Sequence, residues 1–218
     1  MQVTPADLRG SQTELVKVLS GIDVVVSAIF YGSLADEIPL ATAAKAAGVK
    51  RFVQSAYNIP VPLRGVTNLR DQVRNCLQYD IVRLNRHLLT PALSQQKEVI
   101  LSHINALKLP YTYIDVGWWY HVVLPRIPSG RTEHALPCGM PNLPIAGDGN
   151  VPSAVTHLKD IGRYIARIVT DPRTLNKKVF AYSELHTSKD LYTLVEQVSG
   201  EKLVPQYVRS LNCLKTLV

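Results

Sequence analysis

The run Ile22-Asp23-Val24-Val25-Val26-Ser27-Ala28-Ile29 constrains the fold more than any other stretch of this chain. It is apolar and β-branched almost without a break, the pattern of a central parallel strand covered on both faces. Ala35 to Ala47 is an alanine-rich helical stretch closed by Gly48, and Arg51-Phe52-Val53-Gln54-Ser55 reads as the next strand. Strand, helix and strand within about 30 residues make a βαβ unit, so the fold class is α/β with a parallel sheet. Ligands of such sheets collect beyond the carboxyl ends of the strands. Here those ends are Ser27-Ala28-Ile29-Phe30 and Ser55-Ala56-Tyr57-Asn58. Upstream, Thr13 to Leu19 is a short helical pattern that Gly21 ends.

Lys97 to Tyr113 reads as a helix that starts with its lysine and passes through Leu109-Pro110 into a buried strand, Tyr111 to Val116. Ile100, Ile104 and Leu107 recur at helical spacing, which sets the Lys97 stem at the edge of the apolar face. Two readings follow. An amine there leaves water and approaches a cleft with a lowered pKa, as a catalytic lysine requires. Alternatively it snorkels to solvent from the first turn of an ordinary amphipathic helix.

The strand ends at Gly117-Trp118-Trp119-Tyr120, where the two tryptophans either line an apolar substrate site or cap the core. Proline and glycine dominate from Pro125 to Pro152, so that segment is loop, and Gly147-Asp148-Gly149-Asn150 carries a hairpin-like turn signal. Leu158 to Val169 is helical, Lys178 to Tyr182 a strand, Thr187 to Ser199 a second helix and Leu203 to Tyr207 a last short strand. Thr187 with Asp190 three residues on forms a capping box, and Gly200 terminates that helix.

Several functions are disfavoured by what the chain carries. Its net charge is +7, but three arginines against one aspartate between Val73 and Gln96, with Arg209 and Lys215 in the tail, account for +4 of it. No basic cluster interleaved with aromatics remains, so no nucleic-acid partner is expected. No apolar run reaches the roughly 20 residues that span a bilayer, and the first residues hold no apolar signal region. Cys76, Cys138 and Cys213 lack paired spacing, so neither a disulfide framework nor a metal site is expected, and a reducing cytoplasm fits. There is no G-x-S-x-G elbow, no phosphate-binding loop and no Tyr-x-x-x-Lys pair, and the six histidines are scattered. His157 near Asp160 reads as ordinary helix-start chemistry.

Gly21 to Ile29, Ala47 to Ser55, Lys97 with Leu109 to Tyr113, Gly147 to Asn150, Asp160-Ile161-Gly162 and Asp171 to Lys177 stand in an order that resembles a known family. It is the NmrA-like, isoflavone-reductase-type family, an atypical branch of the short-chain dehydrogenases. The resemblance implies NADPH on a Rossmann-type domain and hydride transfer to a small conjugated or benzylic substrate. It gives Lys97 the place of the family's catalytic lysine, which protonates or polarises the substrate oxygen. Ser27, Ala28 and Ile29 match the strand end beside the nicotinamide, and Gln54, Ser55 and Ala56 the next cofactor-binding strand end. Tyr57, Trp118, Trp119 and Tyr120 fall where family members contact substrate. Family members usually carry Pro-Ser-Glu-Phe where this chain has Gln54-Ser55-Ala56-Tyr57, which alters the polarity of the cleft.

Family members open with strand, Gly-rich turn, helix and strand, and this chain is expected to begin after them, near their third strand. The expected architecture is therefore a truncated Rossmann-like parallel sheet over 1–120, its first strand exposing an apolar edge. A small C-terminal α/β substrate lobe over 121–218, with an irregular tail, completes it. Val73 to Gln96 reads as an anomalous insertion, because its removal joins Asn68–Gln72 to Lys97–Val99 as a natural loop-to-helix entry. Codons for Val-Arg-Asn, Leu-Thr and Gln can spell splice signals, so a translated intron is expected there, against a genuine family-specific insertion. The function expected is an NADPH-dependent oxidoreductase of secondary metabolism. The alternatives are a non-catalytic dinucleotide-sensing regulator and an inactive truncated gene product.

Overall fold

The structure is a computed structural model and describes residues 3–57, 91–131 and 145–208. The three cysteines, residues 73–90 and the tail from 209 lie outside them, as therefore does most of the expected insertion. The described residues form two compact units, one drawn from 3–57, 92–115 and 162–181, the other from 116–131, 145–161 and 182–208.

The first unit is built on a parallel sheet. Strands β1 (Val24–Val26), β2 (Arg51–Val53), β3 (Tyr111–Asp115) and β7 (Lys177–Phe180) lie in that order across it. All three pairings are parallel, with Val25 opposite Phe52, Val53 opposite Thr112 and Ile114 opposite Val179. Helix α1 (Gln12–Leu19) precedes the sheet, and α2 (Glu37–Ala46) crosses from β1 to β2 after a 3-10 turn over Tyr31–Asp36. Helix α3 (Pro91–Ala106) leads into β3. Val25, Leu34, Ala41, Ala44, Phe52, Ile100, Ile104 and Leu109 interlock as its core. The small alanine face of α2 lets that helix lie close on the strands, and Ile100 and Ile104 bring α3 in at helical spacing.

Three expectations change here. β1 is not a central strand covered on both faces. Among the described residues it is an edge strand of three residues in which Val25 is buried while Val24 and Val26 stay 37% and 43% exposed. Helix α3 does not start with Lys97 but at Pro91, six residues earlier, so the lysine sits in its second turn. A proline suits a first helical position because its missing N–H would find no intrahelical partner there. The strand near Lys178, expected in a C-terminal lobe, instead completes the first unit's sheet as β7.

Arg51 fastens that addition. Its guanidinium donates to Ile168 O, Asp171 O and Thr174 Oγ1, tying β2 to the end of helix α5 (Leu158–Ile168) and the turn that feeds β7.

The second unit holds a three-stranded sheet of β4 (Trp118–Trp119), β6 (Ser153–Thr156) and β8 (Glu184–His186), parallel then antiparallel. A second pair, β5 (Ile145–Ala146) and β9 (Tyr207–Val208), runs parallel. The glycines of Gly147-Asp148-Gly149 do make a left-handed turn, but β5 pairs with β9 and not with the strand that follows, so no hairpin forms. Helix α4 (Tyr120–Val123) follows β4, and α6 (Ser188–Ser199) carries the expected capping box between Thr187 and Asp190 and ends at left-handed Gly200. Among the described residues no helix is long and apolar enough to cross a membrane.

Candidate active site

Lys97 is a buried cation of the first unit, 8% exposed, and its Nζ donates to Ala56 O at 2.9 Å. A snorkelling lysine would reach water; this one is held just past the tip of β2. Its helix is held there as well, since Gln54 Nε2 donates to the Lys97 carbonyl at 3.0 Å. Removal from water lowers the amine to about pKa 8, against the opposing pull of Asp115 and then Glu37.

Those two carboxylates carry no distinguishing motif. Glu37, wholly buried at the start of α2, accepts the Ser55 amide on Oε1 at 2.7 Å. Burial raises its pKa, while the Ser27 hydroxyl and the Ser55 amide favour the charged form. Asp115, the last residue of β3, is pushed up to about 6 by burial, held back by Lys97 and Lys178. Asp115 is a lone acid in an apolar stretch and Glu37 the second of two adjacent acids at the start of an alanine-rich helix, and neither pattern marks a site.

The strand tips are stitched to one another. Ser55 Oγ donates to Ile29 O and Tyr57 OH to Ser27 O, so the segment after β1 and the segment after β2 are joined side by side. Ser27, Ile29, Gln54, Ser55, Ala56, Tyr57 and Lys97 are thus brought together, with Ala28 between two of them. Around them Ser27 Oγ, Glu37 Oε2, Gln54 Oε1 and Asp115 Oδ1 are buried side-chain oxygens with no hydrogen-bond partner among the described residues. The Ser27 hydroxyl bears on the Glu37 carboxylate, yet Ser27 Oγ and Glu37 Oε2 form no hydrogen bond of ordinary geometry. With the spare donors of Lys97, this set suits a group carrying both donors and acceptors, such as a carboxamide or a sugar hydroxyl. The described turns from strand to helix include no glycine-rich one, so no pyrophosphate cradle belongs to this set.

Trp118, Trp119 and Tyr120 belong to the second unit. Trp119 stacks on His121 at 5.4 Å, with its Nε1 buried and unpartnered among the described residues. Tyr120 OH donates to Glu184 Oε2 at 2.9 Å, which His186 Nε2 also meets at 2.6 Å. His157 uses Nδ1 to accept the Lys159 amide, the helix-start role its position suggests. Among the described residues no three of His, Cys, Asp and Glu gather to hold a metal ion.

No protein-family model matches the chain. It is similar to asnovolin J 5',6'-dehydrogenase of Aspergillus novofumigatus, with 61% identity over 216 residues that cover 99% of this chain and 58% of that protein. A solved isoflavone reductase matches with a TM-score of 0.69 and 25% identity, over 97% of this chain and 62% of that one. AtPrR2 with NADP+ and (+)-pinoresinol matches with a TM-score of 0.65 and 25% identity, over 91% and 58%. The chain therefore spans about three fifths of the length of these relatives. In motif order, parallel sheet and these likenesses the chain is similar to the isoflavone-reductase-like branch of NmrA-like proteins.

Proposed function

We propose that this chain supplies the nicotinamide-end face of an NADP(H)-dependent oxidoreductase that acts on a small conjugated or aromatic metabolite of secondary metabolism. The observation that carries the reading is the burial of Lys97 on the strand tips, where its amine is held by Ala56 O at 2.9 Å. The unpartnered oxygens around it support a nicotinamide carboxamide or its ribose as the bound group. The NADP+ complex of AtPrR2 and the dehydrogenase relative support both the cofactor and the substrate class.

When bound, the nicotinamide supplies or takes a hydride. The chain's own residues do the rest. Ser27, Ala28, Ile29, Gln54, Ser55 and Ala56 present backbone and side-chain polar groups to the cofactor. Lys97 holds a proton against the substrate oxygen as charge develops there. Tyr57 has its hydroxyl engaged with Ser27 O, which leaves its ring for the substrate. For Trp118, Trp119 and Tyr120, which belong to the second unit, the family resemblance alone suggests contact with substrate.

NADPH fluorescence titration of the chain, followed by turnover assays over a panel of enones and quinones, tests this. Lys97→Ala is expected to retain binding and lose turnover. Unchanged turnover in that variant removes the role of Lys97. Binding without turnover across the whole panel favours the dinucleotide-sensing regulator instead.

A further inference from the structure

Lys97 has three N–H donors and, among the described residues, one acceptor in place, Ala56 O. β2 and β3 run parallel with Val53 opposite Thr112. Past the end of β2, Ala56 packs with Tyr113, which stands two residues before Asp115 and so on the same face of β3. Asp115 is 7% exposed and its Oδ1 has no hydrogen-bond partner among the described residues. A buried carboxylate oxygen without a donor thus lies at the tip of β3, and a buried ammonium with donors to spare is held from α3 just past the tip of β2. Burying such a carboxylate is costly unless a cation stands near it.

The charged groups that bear on this pair come from every element around it. Glu37 of α2 acts on Lys97, and Lys178 of β7 acts on Asp115. Lys178 Nζ also lies 5.1 Å over the Tyr113 ring, whose hydroxyl is pushed up by burial and then by Asp115, Glu98 and Glu37. Glu37 already has the Ser55 amide on one oxygen, whereas Asp115 Oδ1 has no hydrogen-bond partner among the described residues.

We propose that Asp115 is a positioning residue that keeps the Lys97 amine protonated at the strand tips, so that at neutral pH Lys97 gives a proton to the substrate oxygen. This rests on the functional reading of Lys97 above. In the reductive direction the Nζ–H bond breaks as the product O–H bond forms. The hydride comes from the reduced nicotinamide, and the neutral amine then regains a proton from water. Of the influences that oppose the effect of burial on Lys97, Asp115 is the largest.

Asp115→Asn keeps the shape and removes the charge, and Asp115→Glu keeps the charge. The titration of Lys97 is read on the whole chain as the pH dependence of acetic anhydride labelling at Nζ, quantified by peptide mass spectrometry. This needs neither cofactor nor turnover. In Asp115→Asn the midpoint is expected to fall, and a fall of one unit from about 8 raises labelling at pH 7 about fivefold. Asp115→Glu is expected to label like the unaltered chain. An unmoved midpoint in Asp115→Asn overturns the proposal. If Asp115→Asn does not fold, carbon-13 NMR of the Asp115 carboxyl is compared between the unaltered chain and Lys97→Met. An upward move in the variant supports the coupling, and no move overturns it. The two readings fail separately: turnover that survives Lys97→Ala removes the functional role of the lysine but leaves the labelling result intact.

Discussion

Glu37 Oε1 accepts the Ser55 amide N–H at 2.7 Å, so the first residue of α2 closes the backbone just past the tip of β2. Glu37→Gln retains an acceptor for that amide and removes a buried charge; Glu37→Ala leaves the amide unpaired and opens a hole. The Gln variant is expected to unfold within about 1 kcal/mol of the unaltered chain, and the Ala variant to lose about 2–4 kcal/mol. Urea denaturation at neutral pH measures both. Equal stability of the two variants would show that the Ser55 tie contributes nothing.

Lys97 titrates near 8 in the folded chain against an ordinary 10.5, chiefly because it is buried. The folded chain therefore gives up this proton before the unfolded chain does. Between those values the unfolded state holds more protons, so this group makes stability rise with pH; below them the cost of burying the charge is fully present. Relative to Lys97→Met, the unfolding free energy is expected to climb across pH 8 to 10.5 by on the order of 3 kcal/mol. Denaturant curves of both proteins through that window test it, and two parallel profiles would refute it.

What could be read in advance was whatever short spacing decides. The capping box of Thr187 and Asp190 with Gly200 is one local circuit, and it stands as expected. The βαβ unit through β1, α2 and β2 is equally local, and so is the place of the Lys97 stem at the edge of an apolar face. The misses are non-local. An apolar strand looks alike in sequence whether or not a layer covers it, so the exposure of Val24 and Val26 was hidden. The partner of β7 is β3, where Lys177 meets Thr112, a pairing that no periodicity announces. The start of α3 at Pro91 was obscured because that residue fell within a stretch read as an insertion. Asp115 and Glu37 matter only through the register and burial that bring them to Lys97.

Gly117 sits in the left-handed region at φ +74°, and a Cβ there would lie 2.4 Å from the Ala154 carbonyl oxygen. That neighbour is backbone, held in β6 between β4 and β8, and it has little room to yield. Gly117→Ala combines a strained backbone with a clash, and is expected to cost about 2–4 kcal/mol. Near-ultraviolet circular dichroism, which reads the packing of adjacent Trp118 and Trp119, should change together with the denaturation midpoint. A variant that matches the unaltered chain in both would mean that β4 and β6 separate freely.

Tyr120 has its phenol pushed up to about 12, by burial first and then by the hydrogen bond to Glu184 and that residue's charge. Glu184→Gln leaves a carbonyl acceptor for Tyr120 OH but removes the negative charge that opposes a tyrosinate. The phenol is then expected to titrate closer to its ordinary 10, while the part due to burial remains. Tyrosine carbon-13 NMR across alkaline pH follows this residue separately from the others. The same substitution removes the anion that meets His186 Nε2 at 2.6 Å, so the edge-on contact of the two rings should loosen as well. If Tyr120 titrates identically in the variant, the Glu184 carboxylate does not control it, and burial alone explains its resistance to ionisation.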